Sequence, residues 1–147
     1  MRNIRKRETR SLDDSIGYEL GRAFRRMNRA ISSRLREHAL SAVQGNILLM
    51  LWARGPLPVG ELQRSVGLSS SAFTGAIDRM EEAGLLRRVP SETDRRSFLI
   101  EPANWSGSRR AEVLASLIAA EDEFLAVLGK REREQLLGLL RKLGGDD

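Results

Sequence analysis

Between residues 69 and 96 the sequence gathers the side chains best suited to gripping a polyanion. Ser69, Ser70 and Ser71 are consecutive, and Thr74, Gly75, Asp78 and Arg79 follow at helical spacing. Hydroxyls and free amides at a helix start hydrogen-bond phosphate oxygens, and small side chains allow close approach. Further on, Asp94, Arg95 and Arg96 close a polar loop that begins at Pro90. An arginine at such a tip suits a narrow, electronegative minor groove, and Asp94 is placed to brace one of the pair. These groups bind rather than catalyse. The chain has no cysteine and one histidine, His38, with no neighbour that would make a metal site or a triad. It lacks a phosphate-cradling glycine loop, and Glu81-Glu82 and Asp13-Asp14 read as solvated helix faces. The expectation is no enzyme, no cofactor and no metal.

The elements that must position those residues follow from local patterns. Pro58 suits a helix start, Leu62 and Val66 give that short helix an apolar side, and Gly67 stops it. Leu68 is expected inside the turn, and Ser69 is a natural N-cap for a second helix. Phe73, Ile77 and Met80 recur on one face of that helix. Ser71, Thr74, Gly75 and Asp78 share the opposite face, with Ser70 and Glu82 at its margins. Gly84 ends it. Leu85, Leu86 and Val89 then read as a strand, and Phe98, Leu99 and Ile100 as its partner. Taken alone, the second helix reads as an ordinary capped surface helix. The order helix, turn, helix, strand, loop, strand favours a major-groove reading.

Long helices flank this unit. Ile16, Leu20, Phe24, Met27, Ile31 and Leu35 form one apolar stripe over a helix from Leu12 to about His38. Arg22, Arg25, Arg26 and Arg29 lie mostly off the stripe, on a face that is either solvated or binding. Ser41 and Gln44 have capping-box form, opening a mostly buried helix that runs to about Ala53. From about Asn104 a further helix carries Leu114, Leu117, Ile118, Phe124, Leu125 and Leu128, and a last one, Arg131 to Leu143, carries Leu136, Leu139, Leu140 and Leu143. Neither has an obvious partner within the chain, so pairing with the first helix across a twofold axis is expected.

Composition bounds the rest. At 147 residues, 41% apolar and 31% charged, the chain is long enough for a real core and is neither a membrane protein nor disordered. Its longest apolar run, Ile47–Ala53, is too short to span a bilayer, and no secretory signal follows the basic start, so a cytoplasmic location is expected. The net charge of +5 is uneven: +7 over residues 1–60, zero over 61–100 and −2 over 101–147. That balance favours nucleic acid as partner, with a membrane surface second. Residues 1–10 read either as a disordered basic tail or as an arm that touches DNA.

Leu68-Ser69 leading into Ser71 and Thr74, Ile77-Asp78-Arg79-Met80-Glu81, Gly84-Leu85 to Arg88, and Asp94-Arg95-Arg96 resemble the MarR family of bacterial regulators. The closing Glu134-Gln135-Leu136 to Leu140-Arg141-Lys142-Leu143 resembles that family's last helix, and the likeness spans almost all of residues 12–143. It implies a mostly α fold with a small β-hairpin wing: a winged helix-turn-helix with N- and C-terminal dimerisation helices. The layout would be a basic tail over 1–11, a dimerisation helix over 12–40, the DNA-binding lobe over 41–103 and dimerisation helices over 104–147. The resemblance implies a homodimer on double-stranded DNA with a palindromic operator, usually a repressor released by a small aromatic or anionic effector. Residue by residue, Ser69, Ser71 and Thr74 match hydroxyl positions that meet DNA. Arg79 and Arg88 match basic positions near the backbone. Asp94 and Arg96 match the wing pair.

Three departures stand out. Gly75 occupies a reading-helix position that is often basic in the family. Pro102-Ala103-Asn104-Trp105 replaces the usual Leu-Thr step into the fifth helix. Without cysteine there is no thiol sensor. Phe24, Met27, Trp52 and Trp105 are the candidate lining of an effector pocket, although plain core is the first reading of each. The alternative to a DNA-binding regulator is a winged-helix interaction module that has lost DNA binding, motivated by Gly75 and the neutral charge of residues 61–100.

Overall fold

The computed structural model describes residues 15–92, 97–105 and 107–145. The basic tail and the wing residues Asp94, Arg95 and Arg96 lie outside them. Helix α1, Ile16–Leu35, is capped by Ser15, whose hydroxyl accepts from the Tyr18 amide at 3.3 Å. It tightens into a 3-10 turn, Arg36–His38. Ala39 then adopts a left-handed conformation (φ 57), unusual for a residue with a Cβ. That reversal buries Leu40 and presents Ser41 to the next helix.

Helix α2, Ala42–Arg54, opens with the expected capping box: the Ser41 amide donates to Gln44 Oε1 at 2.8 Å and the Gln44 amide to Ser41 Oγ at 3.3 Å. Gly45 on this helix is buried against α1, where an added Cβ would stand 2.3 Å from Leu35 Cδ1. The absence of a side chain there sets how closely the two helices cross.

Helix α3, Val59–Val66, ends on Gly67 (φ 69), and α4, Ser70–Glu82, starts from the Ser69 cap. Leu68, between them, is half-buried rather than enclosed. Helix α4 stops where Gly84 turns left-handed and the Leu85 amide donates back to the Met80 carbonyl at 2.9 Å. The wing strands are β2, Leu86–Pro90, and β3, Phe98–Pro102, paired antiparallel with Arg88 opposite Ile100. The sheet has a third strand that sequence reading missed. Two residues, Leu57–Pro58 (β1), pair with the other edge of β3, giving the order β1-β3-β2. Pro58 therefore ends a strand as well as opening α3.

Ile47, Leu48, Leu51, Leu62, Phe73, Ile77, Met80 and Ile100 form the centre of one continuous core, joined by Leu35 and Val113. Helix α5, Gly107–Leu125, starts three residues later than expected, because β3 runs through Pro102 and the Ala103 amide is held by the Leu85 carbonyl at 3.0 Å. It packs along α1 in the same chain, burying Val113, Leu117 and Ala120. This corrects the expectation that α5 lacks an intrachain partner. The inward stripe is Val113–Leu117–Ala120, not one that includes Ile118, which stays exposed. Across the α1–α5 seam, Arg34 Nη2 meets Glu123 Oε2 at 2.9 Å, and His38 Nε2 lies 2.8 Å from Ser116 Oγ. Helix α6, Lys130–Gly144, buries no residue.

Candidate nucleic-acid interface

Helix α4 is fixed from behind. Phe73, Ala76, Ile77 and Met80 are buried in the core, so the opposite face must point outward. Ser71, Thr74 and Asp78 are exposed there with Gly75 between them, and Arg79 is exposed on the flank of that face. Two serines at the helix start are already engaged. Ser69 Oγ accepts from the Ala72 amide at 3.4 Å, and Ser70 Oγ accepts from Gln63 Nε2 at 2.7 Å, tying α3 to α4. Each hydroxyl keeps its own proton for a further acceptor. Of the sequence-predicted residues, Ser71, Thr74, Gly75 and Asp78 thus share the outward face of α4, with Ser69 and Ser70 at the helix start and Arg79 on the flank of that face.

Arg88 does something different from its neighbours. Its Nη2 meets Asp78 Oδ1 at 2.6 Å, its Nη1 donates to Glu81, and its amide donates to Glu81 Oε1 at 3.0 Å. The bond to Asp78, with Glu81 adding to it, raises the guanidinium pKa from a value already high, so the charge persists throughout the working pH range. One arginine therefore clamps α4 onto β2, and two carboxylates offset its charge. Arg79, by contrast, has no ion pair or side-chain hydrogen bond among the described residues. Its guanidinium lies back over Gly75, where a Cβ would stand 3.2 Å from Nη1.

At the wing, the Ser91 amide donates to the Ser97 carbonyl at 3.0 Å and closes the hairpin base, with Ser91 itself buried. Directly opposed on β2 and β3, Arg87 and Glu101 form an ion pair.

The four residues read as a pocket lining separate into two places. Trp52 and Trp105 meet edge to face, with centroids 5.4 Å apart. They line an open cleft of about 590 Å³ together with Leu51, Pro56, Arg87, Glu101 and Arg110. Trp105 Nε1 donates to the Leu85 carbonyl at 3.3 Å. The Arg109 guanidinium lies 4.2 Å over Trp105, while Arg110 reaches the Trp52 ring and donates to its carbonyl at 3.1 Å. Met27 instead lines a recess of about 130 Å³ beneath α6. Phe24 is exposed on α1. Sequence reading missed Arg109 and Arg110. Trp105 precedes α5, so no helical spacing ties Arg109 to it, and Arg110 meets Trp52, which lies far away in sequence.

A family model described as "MarR family" matches residues 40–98, which run from Leu40 through the lobe and into β3. A crystal structure of a probable transcriptional regulator from Pseudomonas aeruginosa is 30% identical, with 90% of this chain and 99% of that one covered and a TM-score of 0.76. The chain belongs to the MarR family. Among its MarR-type relatives, the HTH-type transcriptional regulator MhqR of Bacillus subtilis is 26% identical over 85% of this chain and 86% of its own length. The fold is that of a mutant MarR from E. coli complexed with operator DNA (TM-score 0.73, 20% identity, covering 87% of this chain and 92% of that one). The protein is thus a MarR-family winged-helix transcriptional regulator that binds DNA, and an interaction module that has lost DNA binding is not favoured. Its relatives are regulators rather than enzymes, and no described helix is long and apolar enough to cross a membrane.

Proposed function

We propose that the protein is a homodimeric repressor that binds a palindromic operator and is released by a small aromatic or anionic ligand. The observation that carries the DNA reading is the division of α4: a face locked into the core and an outward face of small hydroxyl side chains, flanked by an arginine with no ion pair among the described residues. In the proposed complex α4 enters a major groove, and Ser69, Ser70, Ser71 and Thr74 meet phosphates and base edges. The wing residues Arg95 and Arg96, with Asp94, take the adjoining minor groove. Asp78 and Arg88 act mainly by holding α4 at its angle to the wing.

Dimerisation falls to the helical extensions: residues 12–40 and 104–147 around a DNA-binding lobe at 41–103. Exposed Leu137, Leu139, Leu140 and Leu143 on α6, and Ile16, Leu20 and Phe24 on α1, support this division. The effector reading rests on the Trp52–Trp105 cleft, where indole faces and the Arg110 guanidinium suit a planar anion. Such a ligand switches the protein only by binding its DNA-competent and DNA-incompetent forms with unequal affinity. A regulator acting on chromosomal operators would work in the cytoplasm.

Binding to duplex DNA, titrated against salt, tests the reading. Affinity should fall steeply as salt rises, because phosphate contacts release counterions. A wild-type chain that binds no duplex at low salt would refute it. For the effector, tryptophan emission should respond to aromatic carboxylates that also weaken operator binding, and Trp105→Ala should abolish both responses.

A further inference from the structure

Resting on the reading of α4 as the groove helix, we infer that Arg79 reads a base directly and that Gly75 is the residue that positions it. Side chains on a helix lean towards its N-terminus, so a residue at 79 covers the turn that holds residue 75. Most side chains at 75 would occupy that space. With glycine there, the guanidinium settles against the helix itself, its Nη1 3.2 Å and its Cζ and Nη2 3.9 Å from the missing Cβ position.

The geometry matters for where the charge ends up. At roughly 100° per residue, Arg79 is rooted about 80° around the helix from Ser71, on the flank of the exposed face, whereas Gly75 is only about 40° from it. By folding over Gly75 the guanidinium lies nearer the Ser71–Thr74–Asp78 face than its own root does, at the edge of a recess lined also by Ser41, Gln44, Ala72 and Ala76. Asp78, the nearest carboxylate in sequence, does not capture it, because Asp78 is held by Arg88 at 2.6 Å. The clamp and the free arginine are therefore one arrangement. Arg88 offsets Asp78 and Glu81, and Arg79, unpaired among the described residues, keeps its fork of donors for an outside acceptor. That fork matches the O6 and N7 acceptors of guanine in a major groove. A position without a side chain thus still presents a cation to the groove, supplied from one turn further along.

The test begins with duplexes that the wild-type chain selects from a random pool, followed by affinity for every single-base variant of the selected site. Arg79→Ala should weaken binding about 5- to 150-fold per half-site and erase the preference at one G·C pair, while affinity for duplexes already altered there barely changes. Arg79→Lys, which keeps the charge without the fork, should lose the same preference. Gly75→Leu should lose it too, and adding Gly75→Leu to Arg79→Ala should cost no further discrimination at that pair. Far-UV circular dichroism should be unchanged in all variants. Equal weakening on every duplex, with the salt slope reduced by about one, would make Arg79 a phosphate contact and overturn the inference. An unaltered base preference in Gly75→Leu would overturn the role of Gly75. Failure of the wild-type chain to select any sequence would strike earlier, at the DNA reading itself.

Discussion

The two ends of α1 carry the same apolar stripe and meet different fates. Ile31 and Leu35 are 9% and 0% exposed, packed with α2 and α5 around the lobe. Ile16, Leu20 and Phe24, on the same stripe, are 74%, 50% and 56% exposed. Helix α6 repeats the contrast as a whole element: its apolar spacing is as regular as that of α4, yet it buries nothing, while α4 buries four side chains. Periodicity therefore reports that a helix needs a partner without saying which chain supplies it. In the lobe the partner is the chain itself. At α6 and the start of α1, a second copy meets the need under the proposed dimer.

Substitutions that act on one side of this contrast sharpen it. The largest effect belongs to the self-contained side. Phe73→Ala empties the core behind α4 and should cost about 3–5 kcal/mol in urea unfolding. Gly45→Ala places a methyl against the buried Leu35 and should cost about 1–3 kcal/mol by the same measurement, because the α1–α2 crossing has no slack. Ser41→Ala removes half of the capping box and should cost about 1 kcal/mol. On the other side, Leu139→Ser with Leu143→Ser should leave the helical signal of the lobe intact, changing monomer stability by no more than about 0.5 kcal/mol, because both residues are exposed. In sedimentation the same pair should shift the protein from dimer to monomer. A loss of lobe stability comparable to that of Phe73→Ala would break the distinction between the two regions.

What the sequence disclosed was local. The capping box at Ser41 and Gln44, the left-handed stops at Gly67 and Gly84, and the inward triplet Phe73, Ile77, Met80 each depend on residues within a turn or two of one another. What it concealed depended on residues brought together from afar. Strand β1 is two residues long and exists only because Leu57 lies opposite Ile100, with no alternation of its own to reveal it. Arg88 matched a basic position near DNA, but its partners Asp78 and Glu81 sit on another element, and only the packing of α4 on β2 unites them. The likeness between Trp52 and Phe24 as candidate lining residues ended in the same way: one meets Trp105 across the cleft, and the other faces outward on α1. Gly75, conspicuous as a missing side chain, acquires meaning only through the arginine that lies over it.

Selection of bound duplexes from a random pool decides whether two copies of this lobe present two α4 faces to one DNA. A twofold dimer should enrich a palindrome whose half-sites are centred one helical turn, or a multiple of it, apart. Enrichment of a single asymmetric half-site, or no enrichment at all, would contradict it.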